Sequence, residues 1–336
     1  MATIKQVAHL ASVGVATVSR VIGGKGAVSP DVAKRVLKAI EELQYRPSHA
    51  ARSLQQGTTQ TIGVYIPILS GTFYTPILQA IDEELRAAGV QMVVAFGSGG
   101  GDAYARAKRG VEFLIERGCD GLLGMALPLL DEDLAALGAK RERIVILNHS
   151  VDAIRDQCFT LDHHLGGRLA ARTLLERGHR EIAVIAGPAD LADSVQRLKG
   201  FLDEMSSAGI DPRSMWIVES DFTAAGGRHT AKELLHSERR FTAVFCANDE
   251  MAIGALSCFQ EAGIRVPHDV SVIGYDDTPS ADYSAPRLTS VRLPWREITQ
   301  NGILQLLNLC YGLGHPVERD FEIRVTQRVS VSAPAA

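Results

Sequence analysis

The chain has 336 residues, of which 46% are hydrophobic and 22% are charged, and its formal net charge is −4. This is the composition of an ordinary water-soluble protein with room for more than one domain. No apolar run reaches the ~18 residues needed to span a bilayer, and the N-terminus lacks the apolar segment of a secretory signal, so we expect a cytoplasmic protein without a membrane partner.

Charge is distributed unevenly along the chain. Residues 1–57 carry eight Lys or Arg against three acidic residues, a net charge of +5, which leaves −9 for the remainder. A basic head on an acidic body favours contact between the head alone and a polyanion. A solvated basic helix pair is the alternative that charge by itself leaves open. The five cysteines form no CxxC motif, which favours reduced thiols.

The basic head is predicted to be helical throughout. Residues 4–11 and 15–22 have apolar side chains at helical spacing, and a break that contains Gly14 separates them. A third helix is predicted over 30–44, because Ser-Pro-Asp is typical of a helix start. Residues 48–56 are predicted to form one more short helix.

From residue 61 the pattern changes to short apolar strands that alternate with helices. Strands are predicted near residues 62–67, 90–95, 120–124 and 143–147, and then near 181–186, 215–218, 242–245 and 270–274. Two successive β-α-β series imply an α/β body with two parallel-sheet lobes. The segment 286–330 adds a strand, a helix and a final strand, and we expect it to cross between the lobes.

The two helices over residues 4–22 fit a helix-turn-helix. In that motif the N-terminal part of the second helix enters the major groove, which places Val15, Ala16, Thr17 and Arg20 toward base edges. Arg20 can donate two hydrogen bonds to guanine, and small apolar side chains can touch thymine methyl groups. An ordinary three-helix bundle is the alternative, but the spacing and the basic charge together favour DNA binding.

The head also resembles a known family. The run Ala2-Thr3-Ile4-Lys5-Gln6-Val7-Ala8-His9-Leu10-Ala11, followed by Val15-Ala16-Thr17-Val18-Ser19-Arg20-Val21-Ile22, is similar to the head of the lactose/galactose repressor family. The resemblance extends over the whole chain and looks closest to the galactose type. It implies a transcription repressor without enzymatic activity, cofactor or metal. The predicted DNA-binding residues are Thr3, Lys5, Val15, Ala16, Thr17, Ser19, Arg20, Arg52 and Leu54.

Two glycines depart from the pattern of that family. Gly14 stands where the family usually has serine, so a side-chain cap and a phosphate contact are expected to be missing. Gly23 and Gly24 replace a turn that usually contains asparagine, which is expected to loosen the loop after the reading helix.

The resemblance assigns residues 48–56 to the hinge helix of the family, which folds on cognate DNA. Leu54 matches the leucine that relatives insert into the minor groove, where such a wedge kinks the duplex. Packing of Leu54 against the body is the alternative. The wedge is favoured because a helix this short is marginal without a partner.

Ligands of doubly wound lobes bind beyond the carboxyl ends of the strands, so the residues that follow each predicted strand are candidates. Hydroxyl groups pair with carboxylate, amide and guanidinium groups, and the C–H face of a sugar lies on an aromatic ring. The predicted effector-binding residues are Phe73, Asn148, His149, Arg197, Asn248, Asp276 and Trp295. Tyr74 and Asp277 also follow strand ends.

Structural explanations compete with some of these assignments. Asp249 and Asp277 could each cap the helix that follows, and for Asp249 we favour the cap. His149 with His163 and His164 could form a metal pair, but no third ligand has a recognisable spacing.

The resemblance supports the cleft through Arg197, Asn248-Asp249 and Asp276, which match effector-site motifs of the family. It makes a hexose or hexoside the leading effector, and a corepressor is an alternative to an inducer. A cytosolic sugar sensor that does not bind DNA is the other function considered. The glycine-rich run 97–101 lacks the spacing of a dinucleotide or P-loop motif.

The predicted domains are a helix-turn-helix over 1–47, a hinge helix and linker over 48–60, and an effector-binding and dimerisation body over 61–336. Within the body, lobe 1 comprises about 61–161 and 292–322, and lobe 2 comprises about 162–291 and 323–332. Two heads that read two half-sites imply a homodimer on operator DNA. The C-terminal tail has no heptad leucines, so the tetramerising tail of the family is expected to be absent.

Overall fold

The structure is a computed structural model that describes residues 2–23, 28–45, 57–69, 71–97 and 102–334. The predictions for the hinge helix over 48–56, including those for Arg52 and Leu54, lie outside the described residues.

The head contains three helices with a core of their own. They are α1 (Ile4–Leu10), α2 (Val15–Gly23) and α3 (Pro30–Glu42). The first turn of α1 is closed by a capping box, in which the Thr3 amide donates to the Gln6 side chain at 2.8 Å and the Gln6 amide donates to the Thr3 hydroxyl at 3.4 Å. One valine from each helix, Val7, Val18 and Val36, is fully buried where the helices meet.

The first lobe is built on a parallel sheet of five strands in the order β2-β1-β3-β4-β5. The strands are β1 (Thr61–Ile66), β2 (Gln91–Phe96), β3 (Gly121–Met125), β4 (Ile144–Leu147) and β5 (Cys158–Phe159). Its helices are α4 (Tyr74–Ala87), α5 (Ala103–Glu116) and α6 (Asp131–Ala136), with 3-10 turns at Gly138–Arg143 and Asp152–Gln157.

The second lobe is built on a sheet of six strands in the order β11-β10-β9-β8-β6-β7, in which only the β10–β11 pair is antiparallel. The strands are β6 (Ile182–Ala186), β7 (Trp216–Glu219), β8 (Ala243–Cys246), β9 (Ser271–Asp276), β10 (Thr289–Arg292) and β11 (Arg324–Thr326). Its helices are α7 (His163–Glu176), α8 (Ala192–Ser207), α9 (Ala224–His236), α10 (Asp249–Glu261) and α11 (Pro279–Tyr283), with a 3-10 turn at Pro212–Ser214.

The end of the chain contributes to both lobes. Strand β10 lies in the second sheet, whereas the helix α12 (Trp295–Tyr311) packs against α4 and against strands β3 and β4 of the first lobe. Strand β11 then returns to the edge of the second sheet. The predicted order of strand, helix and strand in this segment is confirmed.

The body is held by buried strands that are apolar along their whole length. Strands β4 (IVIL) and β8 (AVFC) are buried at every position, as expected for parallel sheets covered by helices on both faces. Buried apolar residues of both lobes form one contiguous cluster, and a second cluster lies beneath α5. Across the described ranges, no helix combines the length and apolar character that a membrane span requires.

Candidate functional site

Helix α2 presents two different faces. Val18 is fully buried against the other head helices, whereas Ala16, Arg20 and Val15, which is 42% exposed, point outward. An exposed β-branched residue gains nothing from helix propensity or from core packing, so Val15 favours a contact surface. Thr17 and Ser19 are half-buried beside this face.

The remaining DNA-binding predictions in the described part of the head fall on α1 and its cap. Thr3 and Lys5 are exposed, but the hydroxyl of Thr3 is already engaged in the capping box with Gln6. Gly14 directly precedes α2, and a Cβ atom added there would meet nothing within 4 Å. The missing side chain at Gly14 is therefore not imposed by crowding.

Arg197 is buried on α8 of the second lobe and lies next to the predicted cleft, because its neighbour Asp193 contacts Asn148 of the first lobe. Its Nη1 donates to the carbonyl of Ala247 at 2.7 Å, and its Nη2 lies 3.3 Å from carboxylate oxygens of both Asp193 and Asp276. The guanidinium carbon lies 4.2 Å from the centre of the Tyr275 ring and 5.4 Å from that of Phe222. Although burial lowers the pKa of Arg197, the two carboxylates outweigh this effect, so the side chain stays charged.

One donor of Arg197 is unsatisfied. The Nε atom is buried and has no hydrogen-bond partner among the described residues. A buried donor without an acceptor costs roughly 1–3 kcal/mol. A small rearrangement that brings an oxygen to this atom would remove that cost.

Asp276 connects Arg197 to the aromatic residues of the cleft. The carboxylate accepts a hydrogen bond from the indole Nε1 of Trp295 at 3.3 Å, and the residue has a φ of +98° at the end of β9. Burial raises the pKa of Asp276, while Arg197 and Trp295 oppose that rise. The ring of Phe73 meets those of Trp295 and Tyr74 edge to face, with centroids 5.2 and 4.9 Å apart.

A polar chain joins the lobes at the other side of Arg197. Asn148 follows β4 of the first lobe, and its Oδ1 lies 2.5 Å from Nε2 of His163 in the second lobe. The Nδ2 of Asn148 makes a long hydrogen bond of 3.5 Å to Asp193, which assigns Oδ1 to the histidine and therefore the ring proton to Nε2. Burial, followed by Arg197, lowers the pKa of His163 to about 3, so the ring is neutral at pH 7. The Tyr275 hydroxyl lies 3.3 Å from Nδ1 of His163.

The structure thus brings five of the seven predicted effector residues together: Phe73, Asn148, Arg197, Asp276 and Trp295. His149 is half-buried next to Asn148, and burial lowers the pKa of its imidazole. Asn248 has a structural role, because its Oδ1 caps α10 at the Met251 amide and its Nδ2 donates to the Phe222 carbonyl, each at 2.9 Å. Asn248 therefore lies near the cleft, but its side-chain amide is already engaged in hydrogen bonds that stabilise the fold.

The preferred interpretation of Asp249 as a helix cap is wrong, since Asn248 occupies the cap position. Asp249 is fully buried one residue later and accepts hydrogen bonds from Thr278 and Ser290. Asp277 does not cap a helix either. Its carboxylate accepts from the Thr326 hydroxyl and from Arg328, both at 2.7 Å.

His163 and His164 face different surroundings. His164 pairs with Asp203 at 2.7 Å on the surface, whereas His163 faces the cleft. In the part of the chain that the structure describes, no group of three or more His, Cys, Asp and Glu side chains could hold a metal ion.

Sequence reasoning missed four residues of the cleft: His163 as a cleft residue, Asp193, Phe222 and Tyr275. The sequence does contain a pattern that indicates Tyr275 and Phe222, because each is an aromatic residue at or beside a strand end. A pattern also indicates Asp193, which lies four residues before Arg197 on the same helix, at the spacing of an ion pair. The contact of His163 with Asn148 joins two lobes, and no local pattern indicates it.

Two family models match parts of this chain. Residues 3–48 match the family described as bacterial regulatory proteins, lacI family, and residues 171–331 match the family described as periplasmic binding protein-like domain. The regulator GalR of Escherichia coli is 33% identical over 339 residues, which cover 100% of this chain and 97% of GalR. The chain belongs to the lacI family. It is a DNA-binding transcriptional repressor of that family.

Other relatives match over similar lengths. The repressor PurR of Aliivibrio fischeri is 36% identical over 337 residues, which cover 99% of each protein. The lac repressor dimer, solved with its operator and the anti-inducer ONPF, is 29% identical with a TM-score of 0.82 and covers 99% of both chains. The regulator CelR in complex with cellobiose is 32% identical with a TM-score of 0.69, and the match covers 98% of this chain and 100% of CelR.

Proposed function

We propose that this repressor binds a pseudo-palindromic operator as a homodimer and that a small sugar, a hexose or hexoside, releases it by binding between the lobes. The observation that carries the proposal is the constellation of Phe73, Trp295, Asp276 and Arg197 at the interlobe cleft. Cytoplasmic location, the absence of enzymatic activity and control of sugar-metabolism genes belong to the same proposal.

The chemistry of the cleft supports a polyhydroxylated ligand. Carboxylate, amide and guanidinium groups lie within one constellation, and each can exchange a present hydrogen bond for one to a hydroxyl group. The rings of Phe73 and Trp295 offer an apolar surface to the C–H face of a sugar. Two relatives have been solved with a small molecule bound, CelR with cellobiose and the lac repressor with the anti-inducer ONPF.

The exposed face of α2 supports readout of the major groove. Val15 and Ala16 in the first turn of this helix and Arg20 in its last turn are exposed, and Arg20 can donate two hydrogen bonds to guanine. Arg52 and Leu54 complete the proposed DNA interface in the hinge. Dimerisation is proposed because two heads are needed to read two half-sites.

Three variants separate the proposed parts, with operator affinity and sugar response measured by fluorescence anisotropy on a selected operator fragment. Arg20→Ala is expected to lose roughly 1–3 kcal/mol of operator binding and to relax sequence preference. Leu54→Ala is expected to weaken specific binding more than non-specific binding. Asp276→Ala is expected to keep operator affinity and to lose the response to the sugar.

Equal losses of DNA affinity and sugar response in all three variants would contradict this modular assignment. Tighter operator binding upon addition of the sugar would show a corepressor in place of an inducer.

A further inference from the structure

The cation next to the predicted cleft is already neutralised. Arg197 is in contact with the carboxylates of Asp193 and Asp276, and the ring centres of Tyr275 and Phe222 lie 4.2 and 5.4 Å from its guanidinium carbon. Its side chain is only 4% exposed. The positive charge of Arg197 is therefore already shared between two acidic side chains.

Among the described residues, the further basic side chains His149, His163, Arg292 and Arg328 do not supply a free positive charge either. His163 is neutral at pH 7, and burial also lowers the pKa of His149. The arginines on and next to the strands beside β9 are paired: Arg292 lies 2.6 Å from Glu297, and Arg328 lies 2.7 Å from Asp277.

We propose that the cleft selects uncharged ligands, so that it accepts a neutral hexose or hexoside and rejects the same sugar when it carries a phosphate or a carboxylate. This inference rests on the proposed function, since it specifies the class of sugar that acts as effector. An anionic group would lie near the carboxylates of Asp193 and Asp276 and would be repelled by them. Among the described residues in contact with these two side chains, Arg197 is the one cation, and its charge is already shared between them. A neutral hydroxyl group does not experience this electrostatic repulsion.

The size of the discrimination follows from Coulomb interaction. An anion placed ~8 Å from one uncompensated carboxylate, at an effective dielectric constant of ~20, binds about thirtyfold more weakly than its neutral counterpart. Solvent at the cleft mouth reduces this value, so we expect a preference of about tenfold or more.

The test measures binding of the full chain to matched pairs of probes by calorimetry and by thermal shift. The pairs are galactose and galactose 1-phosphate, glucose and glucose 6-phosphate, and galactose and galacturonate, with methyl galactoside and methyl glucoside as further neutral probes. We expect a neutral member to bind at least about tenfold more tightly than its anionic partner. A phosphorylated or carboxylated sugar that binds as tightly as its neutral parent, or more tightly, overturns the inference.

The variant Asp193→Asn tests the cause of the selectivity. It removes one carboxylate from Arg197 and keeps the shape of the side chain, so the ratio of neutral to anionic affinity is expected to fall about tenfold. Asp203→Asn is the matched control, because Asp203 lies on the same helix but pairs with His164 on the surface. An unchanged ratio in Asp193→Asn overturns the inference.

Failure of the proposed function remains distinguishable from failure of this inference. If the tightest ligand is an uncharged nucleobase, or if a neutral sugar binds without releasing operator DNA, the proposed function is wrong while selectivity for uncharged ligands stands. If a sugar phosphate releases the operator, the proposed function stands and the inference is wrong.

Discussion

At the residue scale, the side chains that shape the proposed effector site have hydrogen-bond partners that lie far away in sequence. Asp249 accepts hydrogen bonds from the amide and hydroxyl of Thr278 and from the hydroxyl of Ser290. These bonds hold the turn after β9, where Asp276 and Asp277 both have positive φ. Asp249 thereby positions Asp276 in the cleft without facing the ligand itself.

The buried carboxyl of Asp249 makes stability depend on pH. Burial, followed by repulsion from Asp276, raises its pKa to about 8, so the folded state keeps a proton that the unfolded state releases near pH 4. Stability from this group is therefore present at acidic pH and is lost as pH rises from about 4 to about 8. We expect the difference in free energy of unfolding between wild type and Asp249→Asn to change in this window. The stability of the wild type should fall relative to that of the variant as the pH rises. Denaturant unfolding at pH 5, 7 and 9 measures this, and a constant difference would contradict the assignment.

Gly14 gives a gain-of-function prediction. The space beside it is open and it precedes α2, so Gly14→Ser adds a helix cap and a phosphate contact without a clash. We expect operator binding to tighten by about 0.5–1.5 kcal/mol, the net value of one added hydrogen bond. Anisotropy with operator DNA measures the gain, and Gly14→Ala, which adds a methyl group without a hydroxyl, is the control. Equal affinities of the two variants would show that the hydroxyl contributes nothing.

At the element scale, the sequence predicted the regular helices and strands because their apolar periodicity is strong and each has a recognisable start. Two short elements were missed, β5 (Cys158–Phe159) and α11 (Pro279–Tyr283), since two and five residues are too few to show a period. The cap of α10 was assigned one residue too late. Asn and Asp are both good caps, so the dipeptide Asn248-Asp249 is ambiguous without coordinates.

Contacts between elements of different lobes were beyond sequence reasoning altogether. Glu250 in the first turn of α10 accepts hydrogen bonds from the amide and hydroxyl of Thr72, at 2.8 and 2.7 Å, across the mouth of the cleft. The Thr72 hydroxyl also lies 3.1 Å from that of Ser280 in the second lobe. These bonds stabilise the arrangement in which the two lobes approach each other.

Loss of this bridge is expected to weaken effector binding. Glu250→Ala removes both acceptor contacts with Thr72, and for partly exposed bonds we expect a loss of about 0.5–1.5 kcal/mol, or two- to tenfold in sugar affinity. Calorimetric titration with the neutral sugar measures it. Glu261→Ala, at the other end of the same helix, removes only an exposed pair with Arg228 and is the control. If both variants bind the sugar as wild type does, the bridge has no part in effector binding.

At the scale of the whole molecule, the repressor combines a head with its own small core and a body whose two lobes share a core cluster. The end of the chain ties the lobes together, since α12 packs on the first lobe while β10 and β11 belong to the second. A ligand that changes the approach of the lobes therefore acts on a connected body. The proposed coupling to DNA runs from this body through the hinge at 48–56 to the head.

The most direct test of this coupling is the affinity of the neutral sugar for the repressor with and without saturating operator DNA. Binding linkage requires that an inducer that weakens operator binding is itself weakened by the operator by the same factor. For a coupling free energy of ~1–3 kcal/mol, we predict that operator DNA weakens sugar binding by about 5- to 150-fold. An unchanged sugar affinity on operator DNA would contradict the proposal that the cleft controls release.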